Sequence, residues 1–326
     1  MNLDPPDRNI SMELARATEA AALGAVPWTG RGDKNGADGG AVDAMRTMLN
    51  TIDIDGVVVI GEGEKDEAPM LFNGEQVGTG TGPQVDIAVD PIDGTTLLSL
   101  GRANAVSVIA ASPRGSMYNP HDIFYMEKIA VGPEAKGKID LSAPVRWNLE
   151  QVAEARGIPL TEVTVTLLDR PRNDDIVSEI RAAGARIISI TDGDVAGAVM
   201  AGMDGTGVDI LLGIGGSPEG VSAACAMKAL DGDMQCRLWP RHDADRALAA
   251  ERGLDLTQVL TLDDLVNGDD CFFALTGITT GYLLRGVEVT RSGARTHSLV
   301  MRSRSRTIRT IEAEHHTHKV EQFLAI

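Results

Sequence analysis

The sequence predicts a layered α/β protein whose strands are partly parallel. Three observations carry that expectation. From residue 163 onward short β-branched runs alternate with helical patterns. Several of the apolar runs end in clusters of aspartate and glutamate. No stretch approaches the roughly 20 uncharged apolar residues that a membrane helix needs. With 326 residues, 43% hydrophobic and 24% charged, the chain is long enough for two domains. A division into 1–160 and 161–326 follows the change of rhythm between about 145 and 162.

Along the chain, a helix is expected from Met12 to Leu23, capped by Asn9 or Ser11. "GAVPWTGRGDKNGADGG" reads as a glycine-punctuated loop carrying Asp33, Lys34 and Asp38. "AVDAMRTMLNTI" reads as a helix with Val42, Met45, Met48 and Leu49 on one face. "GVVVI" (56–60) is a strand that empties into "GEGEKDEAP". In the strand "VDIAVD" (85–90), Asp86, Ala88 and Asp90 share one face and Val85, Ile87 and Val89 the other. "NAVSVIAASPRG" continues that sheet and turns near Pro113–Gly115, and "NLEQVAEARG" is helical. Then come "VTVTLLD", "DDIVSEIRAAG", "ARIISI", "VAGAVMAGM", "VDILLGIGG" and "PEGVSAACAMKAL", alternately strand and helix. Residues 240–270 read as helical and loop-rich. "CFFALTGIT", "RSGARTHSLVMRSRS" and "TIRTIEAEH" read as closing strands.

Composition excludes several functions. A net charge of −17 argues against a nucleic-acid partner, which needs a basic field. Eleven Phe, Trp and Tyr residues form no stacking platform. Cys225, Cys236 and Cys271 are too few and too scattered for a disulfide scaffold or a zinc site, and Cys225 lies in an apolar run that reads as core. The histidines form no H-E-x-x-H pattern. "GIGGSPEG" lacks the Lys-Ser/Thr ending of a P-loop, and no well-placed G-x-G-x-x-G opens a dinucleotide unit. No arginine-rich leader or signal segment precedes the first helix, so a cytoplasmic location is expected.

Three acidic segments share one position, the end of an apolar run. They are Glu62, Glu64, Asp66 and Glu67; then Asp86, Asp90 and Asp93; then Glu219. Carboxylates so crowded repel one another unless a cation compensates. Oxygen ligands suit Mg²⁺ or Mn²⁺ rather than zinc or copper. In "DPIDGTT", Pro91 holds Asp90 extended as the chain leaves the strand. Gly94 permits a tight turn, and Thr95 opens a short helix whose N–H groups favour an anion. The same motif is also explained if Asp93 caps that helix and Asp90 faces water. "LLDRPRN" presents Arg170 and Arg172 either as a surface turn or as a guanidinium pair for a phosphate. "ITDGDVAG" presents Asp192 and Asp194 as helix caps or as acceptors for sugar hydroxyls. Tyr125 reads as core or as a phosphate contact.

Together, "GRGDKNGADG", "VVVIGEGEKDEAPML", "DIAVDPIDGTT", "LDRPRN", "TDGDVAGA" and "GIGGSPEG" resemble the class II fructose-1,6-bisphosphatases, within the lithium-sensitive, metal-dependent sugar and inositol phosphatase superfamily. The resemblance runs from about residue 7 to residue 324. It implies an α/β/α/β/α sandwich. It implies Asp38, Glu62, Asp90, Asp93 and Glu219 as ligands of Mn²⁺ or Mg²⁺, with the Ile92 carbonyl beside them. Asp66 matches a position near the attacking water, and Gly94 and Thr95 flank the phosphate to be cleaved. Tyr125, Arg170 and Arg172 match sugar-bisphosphate contacts, Asp192 and Asp194 match its hydroxyl side, and Asp33 and Lys34 lie in a loop of less defined role. The implied reaction is hydrolysis of the 1-phosphate of fructose 1,6-bisphosphate by in-line attack of a metal-activated water, in a homodimer or homotetramer serving gluconeogenesis. Activity on sedoheptulose 1,7-bisphosphate, an inositol or sugar monophosphatase, and a non-enzymatic sugar-phosphate binder are the alternatives. Asn173 departs from the histidine that many relatives carry. Asp93 departs from the glutamate of some bifunctional enzymes and favours the gluconeogenic type.

Overall fold

The computed structural model describes residues 9–61, 71–120 and 123–318. Its helices are α1 (Ser11–Ala25), α2 (Lys34–Leu49), α3 (Thr95–Ser99), α4 (Val145–Arg156), α5 (Asp174–Ala183), α6 (Asp194–Gly202), α7 (Ser217–Ala229), α8 (Asp243–Arg252) and α9 (Leu262–Leu265). The first strands are β1 (Asp55–Ile60), β2 (Gln76–Val77), β3 (Gln84–Asp93), β4 (Val106–Pro113) and β5 (Tyr125–Val131). Next are β6 (Thr164–Leu168), β7 (Arg186–Ile190), β8 (Ile210–Gly216), β9 (Asp233–Leu238) and β10 (Leu260–Thr261). The chain closes with β11 (Phe272–Gly277), β12 (Glu288–Thr290), β13 (Gly293–Arg302) and β14 (Thr307–His316).

These strands build two sheets, ordered β12-β13-β11-β4-β3-β1-β2 with β14 also on β13, and β10-β9-β5-β8-β6-β7. β1 runs parallel to β3, and β6 runs parallel to both β7 and β8; the remaining pairs are antiparallel. The strands divide between the sheets at points other than residue 160. β5 lies between β9 and β8, while β11–β14 return to the sheet begun by β1–β4.

Alternation along each strand sorts the interior into three cores. Val85, Ile87 and Val89 of β3 face α1 and α2 with Leu14, Val42, Met45 and Leu49. Ala88, Val108 and Leu275 face inward and meet Val195, Val199, Val221 and Cys225 of α6 and α7, with Met126 and Leu211 of the second sheet. Ile129, Leu212 and Val165 point outward onto Leu149 and Val152 of α4 and Ile180 of α5. The result is helices, sheet, helices, sheet, helices: the expected α/β/α/β/α sandwich. Among the described residues no helix is long and apolar enough to cross a membrane.

One local expectation is corrected. Residues 34–40 are not a loop but the first two turns of α2. Asp33 caps it by accepting from the Gly36 N–H at 2.9 Å, and the glycines serve packing rather than flexibility. A Cβ on Gly24 would stand 2.3 Å from the Gly40 carbonyl, and one on Gly36 would stand 2.3 Å from the Trp28 ring. At the start of α1, the Asn9 side chain accepts from the Ser11 N–H at 3.0 Å, whereas the Ser11 hydroxyl caps nothing. β5 and β9 were not anticipated, because charges interrupt them: Glu127 and Lys128 in one, Asp233 and Arg237 in the other.

Candidate active site between the sheets

The spacing of the two aspartates in "DPID" has a structural cause. Asp90 pairs with Val108 and Asp93 with Val106, so β3 spends three steps where β4 spends two. This bulge around Pro91 restores Asp93 to the face of Asp90, toward the middle layer. Ile92 is left pointing into the outer core. Asp90 accepts from the Ile92 N–H at 3.0 Å. Asp86, earlier on the same strand, is engaged at its far end. It accepts from the Met117 N–H at 3.1 Å and lies 3.6 Å from the Arg114 guanidinium.

Gly94 follows with φ 101°, a left-handed turn that glycine tolerates, and α3 begins at Thr95. The Thr95 hydroxyl lies 2.9 Å from Asp38 Oδ1 and 3.2 Å from the Ile92 carbonyl oxygen. Burial raises the Asp38 carboxyl above its ordinary range, although the Thr95 hydrogen bond and Lys34 oppose the rise. Lys34 Nζ donates to the Thr96 hydroxyl at 2.7 Å. The first turn of α2 is thereby tied to α3.

The second sheet supplies the facing wall. Glu219 stands in the first turn of α7, where Pro218 helps start the helix. Asp194 opens α6 after Gly193, whose φ is 82°. A Cβ on Gly193 would lie 3.6 Å from both oxygens of Asp93, so the Asp192–Asp194 turn rests directly on that carboxylate. Asp93 is held well above the usual carboxylate range, first by burial and then by the charges of Glu219, Asp194 and Asp192. Burial also raises Glu219 and Asp192, against Lys128 and Arg170 respectively. Asp93 Oδ2 and Glu219 Oε2 are buried with no hydrogen-bond partner among the described residues.

The end of β8 makes room for this crowd. A Cβ on Gly215 would come within 1.7 Å of Asp194 Oδ2, and one on Gly216 within 1.9 Å of Glu219 Oε2. The carboxylates occupy the volume that side chains would need. Next to them, Arg172 Nε donates to the Ile214 carbonyl at 3.0 Å, and its guanidinium lies 4.2 Å from the centre of the Tyr125 ring. Tyr125 pairs with Gly216 across the β5–β8 ladder. Arg170 reaches to 3.8 Å from Asp192. Asn173 is buried and clasps the Leu168 and Ile214 carbonyls and the Ile214 N–H. Its amide fixes the turn that carries both arginines.

Asp38, Asp93, Thr95, Asp192, Asp194, Glu219 and Lys34 therefore converge, with Tyr125, Arg170 and Arg172 along one side. Asp33 is spent as a cap at the rim. Glu62 and Asp66 lie outside the described residues, and among the described residues no group of three acidic, histidine or cysteine side chains is arranged so that it could hold a metal ion by itself. Two residues were not anticipated. Lys128, from the middle of β5, donates to Asp194 at 2.7 Å with both groups buried. Arg241, just after β9, sets its guanidinium 5.5 Å from the Tyr125 ring and 5.4 Å from that of Phe124. A lone charge in a strand and an arginine after a tryptophan–proline pair leave little signal. "MEKIAV", a lysine inside an apolar run, was the one available.

The five layers and the carboxylate-lined cleft with flanking guanidinium groups define a protein of the sugar-phosphatase superfamily. The profile described as "Bacterial fructose-1,6-bisphosphatase, glpX-encoded" matches residues 8–315. The "Fructose-1,6-bisphosphatase 1 class 2" of Escherichia coli (strain K12) is 49% identical over 322 residues, covering 95% of this chain and 96% of that one. The "Fructose-1,6-bisphosphatase class 2" proteins of Escherichia coli O6:H1 and Shigella flexneri match with the same identity and coverage. The chain belongs to the class II fructose-1,6-bisphosphatase family.

Proposed function

We propose that this protein hydrolyses the 1-phosphate of fructose 1,6-bisphosphate to fructose 6-phosphate and inorganic phosphate, as a step of gluconeogenesis. One observation carries the reading: Asp93 and Glu219, from different layers, bring partnerless buried oxygens into one cleft, beside the Arg170–Arg172 pair. Such a donor set fits a hard divalent cation. Among the described residues no hydrogen-bond donor satisfies those oxygens, and mutual repulsion leaves the carboxylates waiting for positive charge. When bound, Mg²⁺ or Mn²⁺ supplies Lewis acidity and offsets the phosphate charge.

Asp38, Asp90, Asp93 and Glu219 are the side chains we assign to that cation, with Glu62 and the Ile92 carbonyl assigned by the family resemblance. The Thr95 hydroxyl, hydrogen-bonded within the cleft, orients the attacking water, and its bond to Asp38 gives the water's proton a path to a carboxylate. Glu62 and Asp66 share that task in this reading. Arg170, Arg172 and Tyr125 hold the second phosphate, while Asp192 and Asp194 accept from sugar hydroxyls and set the sugar for in-line displacement. The small-molecule partner is the sugar bisphosphate, and the working form is a homodimer or homotetramer in the cytoplasm.

The test is phosphate release from fructose 1,6-bisphosphate, sedoheptulose 1,7-bisphosphate and an inositol phosphate, each with Mg²⁺, Mn²⁺ or chelator. Preference for the fructose ester and loss with chelator support the proposal. Turnover confined to the monophosphate refutes it.

A further inference from the structure

Among the described residues Lys128 is the buried cation hydrogen-bonded within the acidic cluster, and nothing in the proposed reaction uses it. It sits on β5, paired with Gly213 on one side and Cys236 on the other, and its side chain runs inward between the starts of α6 and α7. The ammonium lies 2.7 Å from Asp194 Oδ2, with side-chain exposures of 2% and 6%. A Cβ on Gly215 would be 3.0 Å from Nζ, so that glycine clears its path. Burial alone lowers the affinity of such a lysine for its proton, but Asp194 and Glu219 outweigh burial and raise it.

Its partner is selective. Asp194 and Glu219 both raise the proton affinity of Asp93, and Asp194 raises that of Glu219, yet the Lys128 ammonium donates to Asp194. The orphaned oxygens belong to the other two. A carboxylate bound at one oxygen to an ammonium carries much less field for a second cation. Its other oxygen is still free to accept from a neutral hydroxyl.

We propose that Lys128 is a positioning residue that reserves Asp194 for the sugar, keeping it from joining Asp93 and Glu219 around the cation. The inference rests on the bisphosphatase reading above. It predicts opposite effects on cation and sugar when the ammonium is removed, which loss of packing would not produce.

The experiment compares Mn²⁺ affinity, by calorimetry on sugar-free protein, with steady-state kinetics on fructose 1,6-bisphosphate. In Lys128→Met, Asp194 is released to the cation. Mn²⁺ should bind about ten-fold tighter, since ligand charge sets the affinity of such sites. KM should rise about ten-fold or more with kcat changed much less, because ground-state sugar contacts are lost. Unchanged or weaker Mn²⁺ binding, or an unchanged KM, overturns the proposal. Should Lys128→Met fail to fold, Asp194→Asn with and without Lys128→Met decides. With no carboxylate to reserve, adding the methionine should alter neither Mn²⁺ affinity nor KM, and a further change in either overturns the proposal. If the wild-type protein does not hydrolyse the bisphosphate, the functional reading fails, while the Mn²⁺ titrations still judge Lys128.

Discussion

A single methyl group at Gly216 should separate folding from catalysis. In Gly216→Ala the new Cβ would stand 1.9 Å from Glu219 Oε2, and ordinary contact begins near 3.4 Å, so the carboxylate must retreat by about 1.5 Å. Backbone conformation raises no objection, since Gly216 is extended with φ −66° and ψ 141°. The strain thus falls on the end of one side chain, and overpacking of that kind costs about 1–3 kcal/mol. Displacement of a cation ligand is far more damaging to the reaction. A misplacement of about 1 Å can cost on the order of 100-fold, so kcat/KM should fall by about that factor or more. Gly220→Ala is the control, because a Cβ there meets nothing closer than 3.5 Å. It should keep activity and gain up to about 1 kcal/mol from helix propensity. Phosphate release and urea unfolding, measured on both variants, decide the matter. Wild-type kcat/KM in Gly216→Ala, or equal loss in Gly220→Ala, would refute the assignment of Glu219 to the cation.

Arg172→Ala should lower turnover of fructose 1,6-bisphosphate at least about ten-fold, mainly through KM, in line with loss of a charge-assisted contact; an unchanged KM would favour a monophosphate substrate. Gly24→Ala places a Cβ 2.3 Å from the Gly40 carbonyl and 3.0 Å from the Ala44 Cβ, so α1 and α2 must separate. A loss of about 1–3 kcal/mol in urea unfolding is expected. Mn²⁺ at about one hundred times its dissociation constant should stabilise the fold by about 2.7 kcal/mol, read as a rise in Tm that a chelator reverses and that Asp93→Asn with Glu219→Gln abolishes.

Local chemistry was readable where it was dense. The alternation of β3 correctly put Asp86 and Asp90 on one face, although the strand expected to end at Asp90 runs on through Pro91 to Asp93. What could not be read was Asp93's return to that face, because a bulge is a relation to β4 and not a property of β3 alone. Glycines misled around residue 36 for a similar reason. They suggest a loop until Trp28 and α1 are in place to demand the space. The return of β11–β14 to the first sheet is equally non-local. Asn173, marked in the sequence only by its departure from the histidine of many relatives, is a buried clamp on β8.

The cleft is built against the preferences of the fold around it. Three apolar cores surround a point where Asp93, Asp194 and the Oε2 atom of Glu219 are buried beside the Lys128 ammonium, and two adjacent glycines at the end of β8 give up packing to accommodate carboxylates. Local frustration of this size persists only when the rest of the structure holds it in place, and the sandwich does so by anchoring each acid on a different element: Asp93 on β3, Asp194 on α6 and Glu219 on α7. The bulge of β3 fixes the backbone of Asp93, and the first turn of α7 fixes that of Glu219. Relief must therefore come from a bound charge rather than from rearrangement. On that ground a divalent cation is expected to be required for turnover, and not merely to stimulate it.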